Sequence, residues 1–175
     1  MKTCIEKFFM GSVVVAALLL SSCAMVPRHH IGDTVIADQR IDLQSTTENV
    51  TWSTDDLSIH YGLVKKDAVL RLSGSVEIST SVTNTFPLAD YLYIYLYLLD
   101  SEGVVISRHT LRPNISRYNM LSKRTSFSAT LPKEPGTAYM AFGYFGNFVS
   151  IETVEGGGRG GYEKIEWEIY HDPFT

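Results

Sequence analysis

The sequence predicts an all-β protein, an antiparallel β-sandwich of about seven strands with an immunoglobulin-like or fibronectin-like arrangement. Three observations predict it. From Asp55 onward apolar residues recur with a period of two, the signature of half-buried strands. Thr, Val, Ile, Tyr and Phe dominate that stretch, as strands prefer. No 12-residue window sustains an amphipathic helical period, and turn residues punctuate the strands at short intervals.

The elements follow in order. "DLSIHYGL" places Leu57, Ile59, Tyr61 and Leu63 on one face, and "VLRLSGSVEI" does the same with Leu70, Leu72, Val76 and Ile78, with Gly74 between. "DYLYIYLYLLD" and "GVVISRHTL" come next, joined by "DSEG", a tight hairpin turn in which Gly103 can take positive φ. "TSFSATL", "TAYMAFGYF" and "YEKIEWEIY" complete seven candidate strands. Pro87, Pro113, Pro132 and Pro135 fall at joins, where a missing N–H costs no ladder bond. The Cys pair of true immunoglobulin domains is absent, so the assignment rests on pattern, with a small closed barrel as the alternative. A membrane barrel is not expected, because segments of about ten alternating residues are too few.

The residues before Asp55 read differently. Phe8 to Leu20 is an uncharged run of 13 residues behind Lys2 and Lys7, with Glu6 the one acid. A bilayer core of about 30 Å needs roughly 20 helical residues, so the run is too short to span. A basic start, a short apolar segment and small residues describe a secretory signal peptide. Ser21 and Ser22 follow, then Cys23. Leu20-Ser21-Ser22-Cys23 resembles the lipobox of bacterial lipoproteins. The resemblance implies cleavage after residue 22 and a Cys23 thioether-linked to diacylglycerol and amino-acylated. Several acyl chains meet the requirement for stable anchoring, which one chain does not. Ala24 resembles the outer-membrane default in sorting of enteric type, so the expected address is the cell envelope, facing the periplasm from the outer membrane. Glu6 departs mildly from the basic start of that family.

Cysteine usage agrees. Cys4 leaves with the leader and Cys23 carries lipid, so the mature chain has no thiol for a disulfide or a zinc site. Of 15 basic and 19 acidic residues, removal of Lys2, Lys7 and Glu6 leaves 13 and 18, a net charge of −5. That balance carries no electrostatic footprint for nucleic acid. It also gives no charge-driven attraction to anionic lipid, so the membrane partner is reached through the lipid on Cys23. Residues 23–54 read as the lipidated Cys and a flexible tether, with at most one short strand where it meets a domain at 55–175. Such a tether would reach roughly 30 Å.

No stretch carries a convincing catalytic or cofactor motif. Gly156, Gly158 and Gly161 in "EGGGRGGYE" match G-x-G-x-x-G, but a strand and not a helix follows, so nucleotide binding is not expected. The stretch reads as a hairpin loop presenting Arg159 at its tip to an anion or partner. The five His show no metal-ligand spacing, and no G-x-S-x-G is present. His29-His30 cannot easily close on one ion. A pocket gathering His60 or His109 with carboxylates is what an enzyme would require. The chain therefore reads as non-catalytic, with no metal and no cofactor.

One stretch stands out. In "YLYIYLYLL", Leu92, Ile94, Leu96 and Leu98 share one face, and Tyr91, Tyr93, Tyr95 and Tyr97 the other. The aliphatic row is core. The tyrosine row admits three readings: a structural outer face, a row buried under a loop or the tether, or a docking surface for an envelope protein, glycan or peptide, since Tyr is large, stiff and half polar. Tyr139 to Phe148 could extend either the core or that patch. The sequence thus points to an envelope interaction or accessory module, with a glycan- or peptide-binding module as the alternative.

Overall fold

The computed structural model describes residues 30–43, 46–113, 115, 124–154 and 161–174. Cys23, Arg159 and the segment 1–22 lie outside the described residues. Nine strands occur among those described. They are β1 (Ile41–Asp42), β2 (Thr47–Ser53), β3 (Leu57–Lys66), β4 (Val69–Ile78), β5 (Leu88–Leu99), β6 (Val105–Leu111), β7 (Thr125–Pro132), β8 (Tyr139–Val154) and β9 (Gly161–His171). One helical turn and a half, α1 (Thr80–Thr85), joins β4 to β5, and a 3-10 turn spans Ala37–Gln39.

All pairings are antiparallel and fall into two sheets. One has the order β2-β3-β4-β7; the other runs β6-β5-β8, with β9 and the two-residue β1 sharing the far edge of β8. This is an all-β sandwich, not a closed barrel. The seven strands expected from the period of two are β3 to β9. One sheet takes the first, second and fifth of them, and the other takes the remaining four.

The alternation decides the register. A slip of one residue would turn every apolar side chain outward. Leu57, Ile59, Tyr61 and Leu63 of β3 therefore face Leu92, Ile94, Leu96, Phe142 and Phe148 of the other sheet in one buried core. The β5–β6 turn forms as its residues dictate. The Asp100 carboxylate accepts hydrogen bonds from the N–H groups of Glu102 and Val104 at 2.8 and 2.9 Å, and Gly103 takes φ +87°.

The expected tether is corrected for the described residues between His30 and Thr54. Val35 and Leu43 are buried, 0% and 2% exposed. Val35 donates its N–H to the Gly103 carbonyl at 2.9 Å, and its own carbonyl accepts from Arg40 Nε at 2.9 Å. β1 pairs with β8, and β2 with β3. Of the apolar residues in this segment, Val35 and Leu43 are buried, Ile41, Val50 and Trp52 pack partly buried against the core, and Ile31 and Ile36 stay exposed. Burying Val35 and Leu43 is worth about 1.5–3 kcal/mol each, and the partly buried Ile41, Val50 and Trp52 add to the hold. Val35 belongs to a second cluster with Tyr97, Leu99, Val105 and Ala141, on the outer side of the five-stranded sheet.

Candidate functional site

The two outer faces of the sandwich differ in kind. On the β2-β3-β4-β7 sheet most outward positions are small and hydroxylated, Thr51, Ser53, Ser58, Ser73, Ser75, Ser126 and Ser128, set among His60, Val64, Arg71 and Glu77. They bond to one another and to charged neighbours. Ser53 and Ser58 hydroxyls meet at 2.8 Å, Thr51 Oγ1 lies 2.9 Å from His60 Nδ1, and Arg124 Nε donates to Glu77 at 3.0 Å. That last bond holds the Glu77 carboxyl below its usual range. A shallow groove of about 640 Å³ lies on this face, bounded by the Glu48–Asn49 bulge, His60, Gly62, Ser73 and Arg124.

The outer face of the β6-β5-β8-β9 sheet is aromatic. Alternation along β5 turns Tyr91, Tyr93, Tyr95 and Tyr97 outward, opposite the inward Leu92, Ile94, Leu96 and Leu98. Tyr93 pairs with Phe145 of β8 and Tyr91 with Asn147, so Phe145 and Asn147 widen the row. Phe145 pairs in turn with Tyr170 of β9, which is 73% exposed. Arg108 and Arg112, at β6, reach over the row: the Arg108 guanidinium sits 4.9 Å from the Tyr95 ring and that of Arg112 5.9 Å from Tyr93. Such placements over a ring face are attractive. Glu166 and Glu168 line the opposite margin, on β9, with Glu166 paired to Lys164 and accepting from Asn147 Nδ2 at 3.2 Å. These pairings hold the Glu166 carboxyl below its usual range, the Lys164 contact most of all.

The rings stand against one another along the strand. Tyr91 and Tyr93 stack at 5.6 Å and 27°, and Tyr91 and Phe145 meet at 5.5 Å and 40°. Neighbouring rings and guanidinium groups therefore lie against the ring faces of Tyr91, Tyr93 and Tyr95.

The structure splits the tyrosine row. Tyr91, Tyr93 and Tyr95 are half-buried, but Tyr97 is 3% exposed. His30 and Phe174 cover it, with ring centroids at 5.9 and 5.1 Å, and they stack on each other at 4.3 Å. Burial first, then the nearby Asp172 charge, pushes the Tyr97 hydroxyl up to about 12. Burial and the Glu168 charge raise Tyr91 as well.

A third cluster closes one end between the sheets. The Tyr144 hydroxyl donates to Asp56 Oδ2 at 2.8 Å and meets Thr54 Oγ1 at 2.9 Å. The His171 ring stacks on Tyr144 at 5.8 Å and meets Trp52 edge-on at 5.2 Å. Its Nε2 is buried without a hydrogen-bond partner, and burial holds its pKa below the usual range against Asp172 and Asp56. Sequence reasoning did not single out this cluster, whose members lie about 90 residues apart. His109 is also held low by burial, with Ser107 at 3.3 Å.

Thr51, His60 and Glu77 form a hydroxyl–imidazole–carboxylate line, His60 Nε2 lying 3.4 Å from Glu77. That order is the order of a nucleophile relay, and His60 is the member of it that lines the groove. Here the carboxylate is already shared with Arg124, and the 3.4 Å approach lacks hydrogen-bond geometry. No group of three or more His, Cys, Asp or Glu side chains suited to a metal ion occurs among the described residues. In comparisons with known proteins, no family model matches the chain, and neither the curated proteins nor the solved structures contain a significant match.

Proposed function

We propose that this protein is a lipid-anchored envelope lipoprotein whose sandwich, immunoglobulin-like in its division of strands, is a non-catalytic module that docks a protein partner through the aromatic face of β5 and β8. The observation that supports the reading is the contrast between the two outer faces. A solvated sheet face needs only polar side chains, and the β2-β3-β4-β7 sheet has mostly hydroxyls and charged groups and no aromatic ring but His60. The other sheet instead carries half-buried tyrosines and a phenylalanine flanked by arginines, the residue types enriched at interfaces. The packed ring faces favour a protein over a glycan, because stacking on a sugar needs an open ring face. The address rests on Leu20-Ser21-Ser22-Cys23 and its apolar leader.

Two measurements test the halves of this reading. Cys23→Ser should abolish lipidation and leave unprocessed precursor; normal processing and membrane retention would refute the anchor. A photo-reactive residue at position 95 in cells should trap a specific protein, whereas one at Ser128 on the hydroxylated face should not. Equal, diffuse trapping from both positions would remove the docking function.

A further inference from the structure

We infer that the occupant of the aromatic face is a second copy of this chain, related by a two-fold axis that runs along the strands. The inference rests on the reading of that face as a docking surface and names its partner.

The argument begins with the margins of the face. β6 contributes Arg108 and Arg112, and three strand spacings away, about 14 Å, β9 contributes Glu166 and Glu168. Between them lie Tyr91, Tyr93, Tyr95 and Phe145. With Lys164 taking up Glu166, the second margin keeps the charge of Glu168, so the face is basic on one margin, aromatic in the middle and acidic on balance on the other. It can be laid on itself by two limiting two-folds within the interface plane. An axis across the strands sets β6 on β6, arginine against arginine. An axis along the strands sets β6 of each copy on β9 of the other, arginine against glutamate. Like charges brought together at an interface are costly, so the second arrangement is selected.

The levels agree. The Arg112 guanidinium sits over Tyr93. Glu168 is opposite Asn147, which is opposite Tyr91, two residues along the strand from Tyr93. A two-fold along the strands preserves level, so Arg112 of one copy and Glu168 of the other stand about 7 Å apart along the strand, within reach of two long side chains. Two such pairs form at once, one on each margin, as an isologous interface requires.

The position of the chain's amino-terminal segment selects the same axis independently. His30 packs on Tyr97, at the end of the sheet where β5 finishes. An axis along the strands puts His30 of both copies at one end, so two chains held at Cys23 reach one membrane. An axis across the strands sends them to opposite ends. Charge and anchoring therefore point to one geometry.

The test uses the full chain in its own membrane. A photo-reactive benzophenone residue replaces Tyr93, and adducts are sized and identified by mass spectrometry. The expected product has twice the chain mass and contains peptides of this chain alone. R112E or E168R should each cut its yield at least about tenfold. R112E and E168R combined in one chain should restore it, and so should co-expression of the two singly reversed chains. A loss that the combined reversal does not restore overturns the inference. Adducts to a different protein only would overturn the second copy while leaving the docking reading standing, and no specific adduct would overturn both.

Discussion

Gly74 is a position that accepts no added side chain without backbone movement. It lies mid-way along β4, an interior strand paired with β3 on one edge and β7 on the other. A Cβ added there would sit 2.1 Å from the His60 carbonyl oxygen and 3.0 Å from Tyr61 Cα. Both obstacles are backbone, so no side chain can swing aside. Reaching ordinary contact at 3.4 Å would part β3 from β4 by about 1.3 Å. Ladder bonds that begin near 2.9 Å would stretch past about 4 Å, beyond hydrogen-bonding range. Two lost bonds at about 1 kcal/mol each, with about 1–3 kcal/mol for overpacking, put Gly74→Ala at roughly 3–5 kcal/mol. For a domain of this size that is a fall in Tm of roughly 10–15 °C. Gly62, on the neighbouring strand, is the control. It faces solvent, its added Cβ would find only the Thr47 carbonyl at 3.7 Å, and Gly62→Ala should be neutral or stabilising by up to about 1 kcal/mol. Urea and thermal unfolding followed by circular dichroism measure both. A Gly74→Ala variant within about 1 kcal/mol of the parent, or a Gly62→Ala variant as unstable as Gly74→Ala, refutes the reasoning.

Three further outcomes are expected. His171 is held neutral by burial, so as pH falls below about 6.5 the unfolded chain binds a proton that the folded one refuses, and stability declines. The urea midpoint should therefore drop between pH 7.5 and 5.5, and by less in His171→Phe; an unchanged drop in that variant would exclude His171 as a contributor. Tyr97, with its hydroxyl raised to about 12, keeps its proton when folded, so its contribution is complete below pH 10 and is lost as pH rises towards 12. Tyrosinate absorbance should rise in two phases and become single-phase in urea. Tyr144→Phe removes the hydroxyl that meets Asp56 and Thr54, and should cost about 1–3 kcal/mol by chemical denaturation, whereas Tyr170→Phe, at a largely exposed ring, should cost nothing measurable.

Strand identity was legible in the sequence because it is written in the period of two. β3 to β9 each alternate strongly enough to be found without any partner. β2 was legible only as the one short strand expected before residue 55, because only Val50 and Trp52 of its seven residues are apolar, and a bulge at Asn49, with φ +56°, breaks the alternation. β1, two residues long, has no pattern to read. The composition of the tyrosine row was legible too, but its cover was not. Tyr97 is sealed by His30 and Phe174, 67 and 77 residues away, and nothing local to "YLYIYLYLL" distinguishes Tyr97 from Tyr93. The aromatic stretch from Tyr139 proved to serve both roles: Phe142, Tyr144 and Phe148 enter the core, and Phe145 joins the outer face. Gly143 marks a close approach, its missing Cβ leaving room for the His171 carbonyl and the Tyr97 ring, while the irregularity in register lies at Ala89–Tyr91 instead. The charged margins were there to be found, since Arg108 and Arg112 alternate with inward residues, as do Glu166 and Glu168. What assigns them to one surface is the pairing of β6 and β9 with different neighbours, which one sequence does not state.

The way residues 30–43 are fastened has a mechanical consequence. They are held by the Thr34–Val104 bridge and the handful of backbone hydrogen bonds around it, the two rungs of β1 and a few buried side chains, whereas β3 to β8 share long ladders. A pull applied at Cys23 loads those few bonds one after another, as peeling, and reaches the long ladders only afterwards. Under traction this segment would strip from the sheet first, and its 14 residues, drawn straight, would span up to roughly 48 Å while the sandwich stays whole. The protein would then behave as a short tie at rest and a long one under load.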